Sequence, residues 1–134
     1  MKALSLRADY AFDVLLGQKT TEYRSWNTNY RGDLLICSTA RKIKGCIEGH
    51  ALCVVKIIDV FKFSDNTYAW KLEYMNPIKP FKVKGQQRMF NVDDKLIELP
   101  PMIKGKYETG DIPEQVENEL ATWFDKTFEP LIYK

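Results

Sequence analysis

Ala51-Leu-Cys-Val-Val-Lys-Ile-Ile-Asp-Val-Phe-Lys-Phe63 is a long run of β-branched and aromatic residues, and Tyr68-Ala-Trp-Lys-Leu-Glu-Tyr74 follows it closely. In the second stretch Tyr68, Trp70, Leu72 and Tyr74 alternate with Ala69, Lys71 and Glu73, the two-residue period of a strand. In the first stretch the alternation loses its parity around Ile57-Ile58. That predicts a bulge or bend, of the kind a sheet needs to curl into a barrel. Asp65-Asn66 between the two stretches predicts a turn.

The pattern extends in both directions. Asn76-Pro77 is expected to end the strand that starts at Tyr68. Phe81 and Val83, alternating with Lys82 and Lys84 as far as Gly85, predict another strand with a basic outer face. Gln86 to Val92 is expected to hold a short helical turn and a last strand. Toward the N-terminus, Asp33-Leu-Leu-Ile-Cys-Ser-Thr39 is nearly continuous in apolar residues, the pattern of a strand covered on both faces. A polar connection through Arg41, Lys42, Lys44 and Gly49 separates it from the long run.

Residues 2–7 predict a first strand. Asp9 stands where an N-cap is expected, and Ala8, Ala11, Phe12, Leu15 and Leu16 fall on one side at helical spacing. Gly17 is a natural stop for that helix. It spans only about two turns, so it needs a sheet to rest on. Thr20 to Arg24 then predicts a strand, and Ser25 to Gly32 is rich in turn formers.

Residues 93–113 read as irregular, with Pro100-Pro101, Gly105 and Gly110. Pro113 is expected to open a last helix, with Glu114 and Glu117 in its first turn. Val116, Leu120, Trp123, Phe124 and Phe128 would give this helix an apolar stripe that docks on the core. Many short strands with two or three peripheral helices predict an α+β domain, a small mixed barrel. There is no internal repeat and no βαβ alternation.

Composition agrees with one folded domain of 134 residues, 45% hydrophobic and 28% charged. Twenty basic against eighteen acidic side chains leave a net charge of +2. That balance argues against wrapping duplex nucleic acid by bulk electrostatics, though a local basic rim around a pocket is compatible with it. Cys37, Cys46 and Cys53 form an odd set without a Cys-x-x-Cys pair, and Cys37 and Cys53 read as small buried hydrophobes. Residues 1–7 are too short and too soon charged for a signal peptide, and no apolar run reaches the ~20 residues of a membrane helix. A reducing cytoplasm is the expected compartment.

No P-loop, dinucleotide fingerprint or Gly-x-Ser-x-Gly elbow is present, so no cofactor is expected. Cys46, His50 and Cys53 lie close in sequence but lack the fourth donor of a closed zinc site. Arg31-Gly-Asp33 is expected to supply a turn through Gly32. The densest polar chemistry is Gly17-Gln-Lys-Thr-Thr-Glu-Tyr-Arg-Ser-Trp26. On a strand Glu22 and Arg24 share a face, and Lys19, still in the turn, can reach over it. Two outcomes are open from spacing: a solvated ion pair worth little, or two cations and a carboxylate converging on a pocket.

The stretch Gly17-Gln-Lys19-Thr-Thr-Glu22-Tyr-Arg24 resembles the GxKxxExR signature of the ASCH domain family (activating signal cointegrator homology). The likeness extends to Met1–Arg7, to Arg24–Gly32, and to Tyr68–Glu73 and Pro80–Gly85. It covers residues 1 to about 93, as an ASCH domain, and leaves 94–134 as a C-terminal extension whose helix packs on the barrel. The resemblance implies a PUA-like fold, a small β-barrel with peripheral helices, and a cleft that binds RNA or a nucleotide. Some members are amidohydrolases that deacylate N4-acetylcytidine, and ribonuclease activity is also attributed to the family. Lys19 corresponds to the lysine those amidohydrolases use in catalysis. Their threonine nucleophile stands three residues further on, where this chain has Glu22. Tyr23 also departs from the asparagine common among relatives with this loop.

Two functions from different classes follow. In the first, the cleft binds an RNA base or nucleotide without chemistry. Arg24, Lys19 and Arg31 would contact phosphate or base edges, Trp26 or Tyr30 would stack, and Lys79, Lys82, Lys84 and Arg88 would form a basic rim. In the second, the pocket is a hydrolase with Lys19 and Glu22 as catalytic residues, which requires Glu22 free of a tight pair with Arg24. A third reading, a protein-interaction adaptor using the last helix and strand edges, also stands.

Overall fold

The structure, a computed structural model, describes residues 1–103 and 113–134. Six strands form a single mixed sheet with a helix near each end of the chain: β1 (Lys2–Leu6), α1 (Ala8–Leu15), β2 (Thr21–Arg24), β3 (Gly32–Ser38), β4 (His50–Ser64), β5 (Thr67–Lys82), β6 (Phe90–Asn91) and α2 (Glu114–Phe128). The strand order is β2-β5-β4-β3-β1-β6. All ladders are antiparallel except β1 with β3, which run parallel because α1 and β2 lie between them in the chain. The α+β class is as expected. The expected closed barrel is not: among the described residues the ladder ends at β2 and β6, which do not pair.

The long hairpin β4–β5 explains the curl that stops short of closure. Its register shifts four times, once between Ile57 and Asp59, where the sequence loses its parity. Each shift adds local twist and bends the strand. Asn76-Pro77 does not end β5, contrary to expectation; the strand runs on through Pro77, which faces Cys53 of β4. The reason is position. β2 pairs only with Tyr68 to Lys71, so among the described residues no strand flanks this side of β5 at Pro77, and a missing N–H costs the ladder nothing there. The strand expected at Phe81 is therefore the far end of β5.

The helix α1 begins at Ala8, with Arg7 at the cap position and Asp9 inside the first turn, not at the N-cap. Asp9 accepts from the Tyr10 N–H and pairs with Arg7, whose guanidinium holds its carboxyl below the usual range. Gly17, at φ +76°, ends the helix as expected, a conformation few side chains tolerate. The core lies between the sheet and the two helices. Leu4, Leu6, Val14, Leu34, Ile36, Leu52, Val55, Trp70 and Phe128 form its main cluster.

The C-terminal helix α2 docks by its last turn. Phe128 is buried, stacked on Phe124 at 4.4 Å and edge-on to Trp123 at 5.9 Å, while Val116 and Leu120 are only partly covered. Gly105 and Gly110 lie outside the described residues. Among the described residues no helix is long and apolar enough to cross a membrane. Cys37 and Cys53 are buried hydrophobes of the sheet, as their apolar context predicts.

Candidate functional site

The site follows from the parity of β2. Glu22 and Arg24 project to the same side of that strand, and Glu22 is only 6% exposed. A carboxylate that dry needs partners, and it has two. Arg24 Nε donates to Glu22 Oε2 at 2.8 Å, and Lys19 Nζ lies 3.3 Å from Oε1. Lys19 is placed by the turn after α1, where the Gln18 and Lys19 N–H groups both donate to the Asp13 carbonyl. Its ammonium also donates to the Thr21 carbonyl at 2.7 Å. Lys19, Glu22 and Arg24 therefore form one cluster with a formal charge of +1.

Arg24 reaches further. Its Nη2 donates to the Ser5 carbonyl on β1 at 2.8 Å, so a side chain links two strands that the ladder leaves apart. Guanidinium carries five N–H groups, and these two bonds leave others for a ligand. Aromatic rings surround the cations. Lys19 Nζ lies 5.2 Å from the Tyr10 ring centre and 5.7 Å from that of Tyr23, and the Arg7 guanidinium lies 4.3 Å from Tyr10.

A cavity of about 710 Å³ opens at this cluster. Glu22, Tyr23 and Arg24 line one side, Ser5 to Arg7 and Tyr10 another, and Thr39, Ala40 and Val83 to Gln87 the rest. Its volume lies in the range of small-molecule sites, and its walls mix apolar surface with a few convergent polar groups. Ser5 is 7% exposed, and its hydroxyl is buried without a hydrogen-bond partner. Gly85 packs directly over it: a Cβ added there would fall 2.3 Å from Ser5 Oγ. Only glycine permits that approach.

The other residues expected at the site are placed elsewhere. Trp26 packs edge-on against buried Trp70 at 4.8 Å and is covered by Arg88, whose guanidinium lies 4.9 Å from its ring. Tyr30 donates its hydroxyl to the Asp33 carbonyl at 2.6 Å. Arg31 is exposed and bonds to the carbonyls of Thr28 and Tyr30, and Gly32 opens β3. Lys19 meets the cavity wall through Glu22 without lining it, and none of Trp26, Tyr30 and Arg31 lines the cavity. Of the expected basic rim, Lys84 does, while Lys79 sits 3.7 Å from Glu98 at a different surface. Ser5, Arg7, Tyr10 and Gln86 escaped the sequence reading. The two-residue spacing of Ser5, in β1, and Arg7, just after it, was the available signal, but the sequence does not tell which strand β2 leans toward. Among the described residues no three His, Cys, Asp or Glu side chains come together as a metal site.

Comparison with known proteins places the fold. The model of the ASCH domain matches residues 4–123. A crystal structure of ASCH from Zymomonas mobilis is similar with a TM-score of 0.57 at 12% identity, over 73% of this chain and 96% of that one. A serine-to-alanine mutant of the same protein gives 0.56 at 13% identity, over 72% and 96%. No curated protein matches the chain.

Proposed function

The chain belongs to the ASCH domain family, and from that premise we propose that the cavity at Glu22 binds RNA or a nucleotide. The observation that carries this is the clamp: a buried carboxylate held on one oxygen by Lys19 and on the other by Arg24, at the wall of a nucleotide-sized cavity. Glu22 fixes both cations in place, so their remaining donors are oriented before a ligand arrives. Pre-organised donors of this kind suit phosphate and base carbonyl oxygens. The Tyr10 and Tyr23 rings, both at the cavity, supply stacking faces.

The alternative, a hydrolase acting on an N-acylated nucleoside or an RNA bond, needs Glu22 as a base. Arg24 Nε occupies Oε2 at 2.8 Å, which favours binding over chemistry. In this reading Arg24, which lines the cavity, contacts the ligand, and Glu22, braced by Lys19 on its other oxygen, positions it. Residues 1–93 supply the whole lining of the cavity, which supports treating them as the core of the ASCH unit, although the family match runs on to residue 123 and so takes in most of α2. The curl of the sheet, with Arg24 spanning from β2 to β1, supports a PUA-like architecture. Three free thiols suit a reducing compartment.

The test compares wild type with Lys19→Ala, using short RNAs, a mononucleotide and N4-acetylcytidine. Binding that weakens at least about tenfold in the variant, with no turnover of N4-acetylcytidine, is the expected result. Turnover that depends on Lys19 would establish the hydrolase instead. If the variant equals wild type in every assay, the pocket is misassigned.

A further inference from the structure

Arg7 stands on the cavity wall, half exposed and yet held on two sides. Its Nε donates to Asp9 Oδ1 at 2.7 Å and its Nη2 to Asp9 Oδ2 at 2.8 Å, a two-bond fork. Asp9 is fixed in turn, because Oδ1 also accepts from the Tyr10 N–H at 3.0 Å. The guanidinium lies over the Tyr10 ring, 4.3 Å from its centre. One edge and one face of the group are thus taken, and together they set its plane. The side chain is still 48% exposed, and Arg7 lines the cavity whereas Asp9 does not. The fork therefore grips Arg7 from outside the opening, and the second face of the guanidinium is left for a ligand.

Charge separates Arg7 from the other cations here. An anion that approaches it also meets the Asp9 carboxylate, so the pair, formally neutral, attracts phosphate weakly. The Lys19–Glu22–Arg24 cluster keeps a formal charge of +1, with Arg24 donors unspent. Tyr10 joins the two groups: Lys19 Nζ lies 5.2 Å from the centre of the ring that Arg7 covers. Gln86 and Gln87 line the same cavity. Their amides both donate and accept, which matches the mixed edge of a base and not the uniform acceptors of a phosphate.

The cavity therefore has a flat, neutral station and a cationic one. We infer that Arg7 is the base-stacking residue of the site. A nucleobase lies on the open face of the guanidinium, over Tyr10, while the phosphate of the same nucleotide sits at Arg24. Unpaired bases stack on guanidinium planes as they do on aromatic rings. A base so stacked is out of a duplex, so the ligand is a free nucleotide or a single strand. Lysine cannot replace Arg7, since an ammonium has no plane to stack on. The inference rests on the proposed function and adds to it the way round in which the nucleotide enters.

The test titrates adenosine 5′-monophosphate, cytidine 5′-monophosphate and ribose 5-phosphate by calorimetry. The ratio of nucleotide to ribose 5-phosphate affinity isolates the base. In wild type it is expected to be at least about tenfold for one of the nucleotides. Arg7→Lys, which keeps the charge and loses the plane, should bring it close to one. So should Arg7→Ala combined with Asp9→Asn, which removes the pair at constant net charge. Ribose 5-phosphate binding should stay unchanged in both, because neither touches Arg24. A ratio near one in wild type, or one that survives Arg7→Lys, overturns the stack. Loss of ribose 5-phosphate binding in the double variant overturns it too, by making Arg7 a phosphate ligand. In those cases binding that weakens in Arg24→Lys leaves the proposed function standing; if wild type binds none of the three probes, both readings fall.

Discussion

Arg24 Nε donates to Glu22 Oε2 at 2.8 Å, two residues away on the same face of β2, and the carboxylate is almost wholly buried. Such a pair is not the solvated surface contact that charge spacing also allows. Removing the guanidinium leaves Glu22 with Lys19 alone, at 3.3 Å. Arg24→Ala is therefore expected to destabilise the fold by about 3 kcal/mol, in line with breaking a buried ion pair from one side. Arg24→Lys should recover little, since one ammonium cannot reproduce the fork to Glu22 and Ser5. Urea denaturation measures both, and a loss below about 0.5 kcal/mol in Arg24→Ala would return the pair to the surface class.

Gly85 and Ser5 give a second, independent test of the cavity wall. A Cβ at position 85 would meet Ser5 Oγ at 2.3 Å and Ser5 Cβ at 3.1 Å. Gly85→Ala is expected to cost about 1–3 kcal/mol by overpacking. Ser5→Ala removes the closer contact together with a buried hydroxyl that has no partner, so it should be nearly neutral. The double variant should be less damaged than the sum of the two, because the clash partner is gone. Additive losses would show that Gly85 and Ser5 do not meet.

Much of this was legible in the chain, and the gaps have physical causes. Parity alone put Glu22 with Arg24, and the turn after Gly17 put Lys19 within reach; the structure brings all three together. The bulge at Ile57-Ile58 was legible because a β-bulge breaks a period of two. Pro77 misled, because whether a proline ends a strand depends on which side of the strand is paired, and that is a tertiary fact. Trp26 misled similarly. An aromatic next to a charged motif can face a ligand or a neighbour, and Trp70 fills that role at 4.8 Å. The Ser5 and Gly85 wall needed knowledge of β1 lying beside the 83–87 segment, which no local pattern encodes.

Two buried cysteines and Tyr74 are expected to weaken the fold at alkaline pH. Burial pushes the Cys37 thiol up from 9.0 to about 12, and pushes Cys53 and the Tyr74 hydroxyl higher as well. A group whose folded value is raised holds its proton longer in the native state than in the unfolded chain. Its stabilising effect is thus complete below pH 9 and is lost as pH rises toward 12. Denaturation midpoints should be flat up to about pH 9 and fall beyond it, and Cys37→Ala should have a shallower fall. At pH 8 a thiol reagent should label the native protein far more slowly than the urea-unfolded chain. Rapid native labelling of Cys37 or Cys53 would contradict their burial.

The helix α2 tests whether the C-terminal part folds with the sheet or merely follows it. Only Phe128 of its apolar stripe is fully buried, and it joins the same cluster as Trp70, Leu52 and Leu4. Deleting a buried aromatic removes its transfer energy and leaves a cavity, so Phe128→Ala should cost about 3–5 kcal/mol. Val116→Ala, about three turns earlier on a partly buried position, should cost under about 1 kcal/mol. If α2 belongs to one cooperative unit, Phe128→Ala will lower a single transition followed equally by tryptophan fluorescence and far-UV ellipticity. If α2 instead melts by itself, ellipticity will fall first while fluorescence from Trp70, buried between sheet and helices, holds to the main midpoint. Trp123, which touches Phe128, has to be replaced by Phe in that experiment so that the remaining signal reports the sheet.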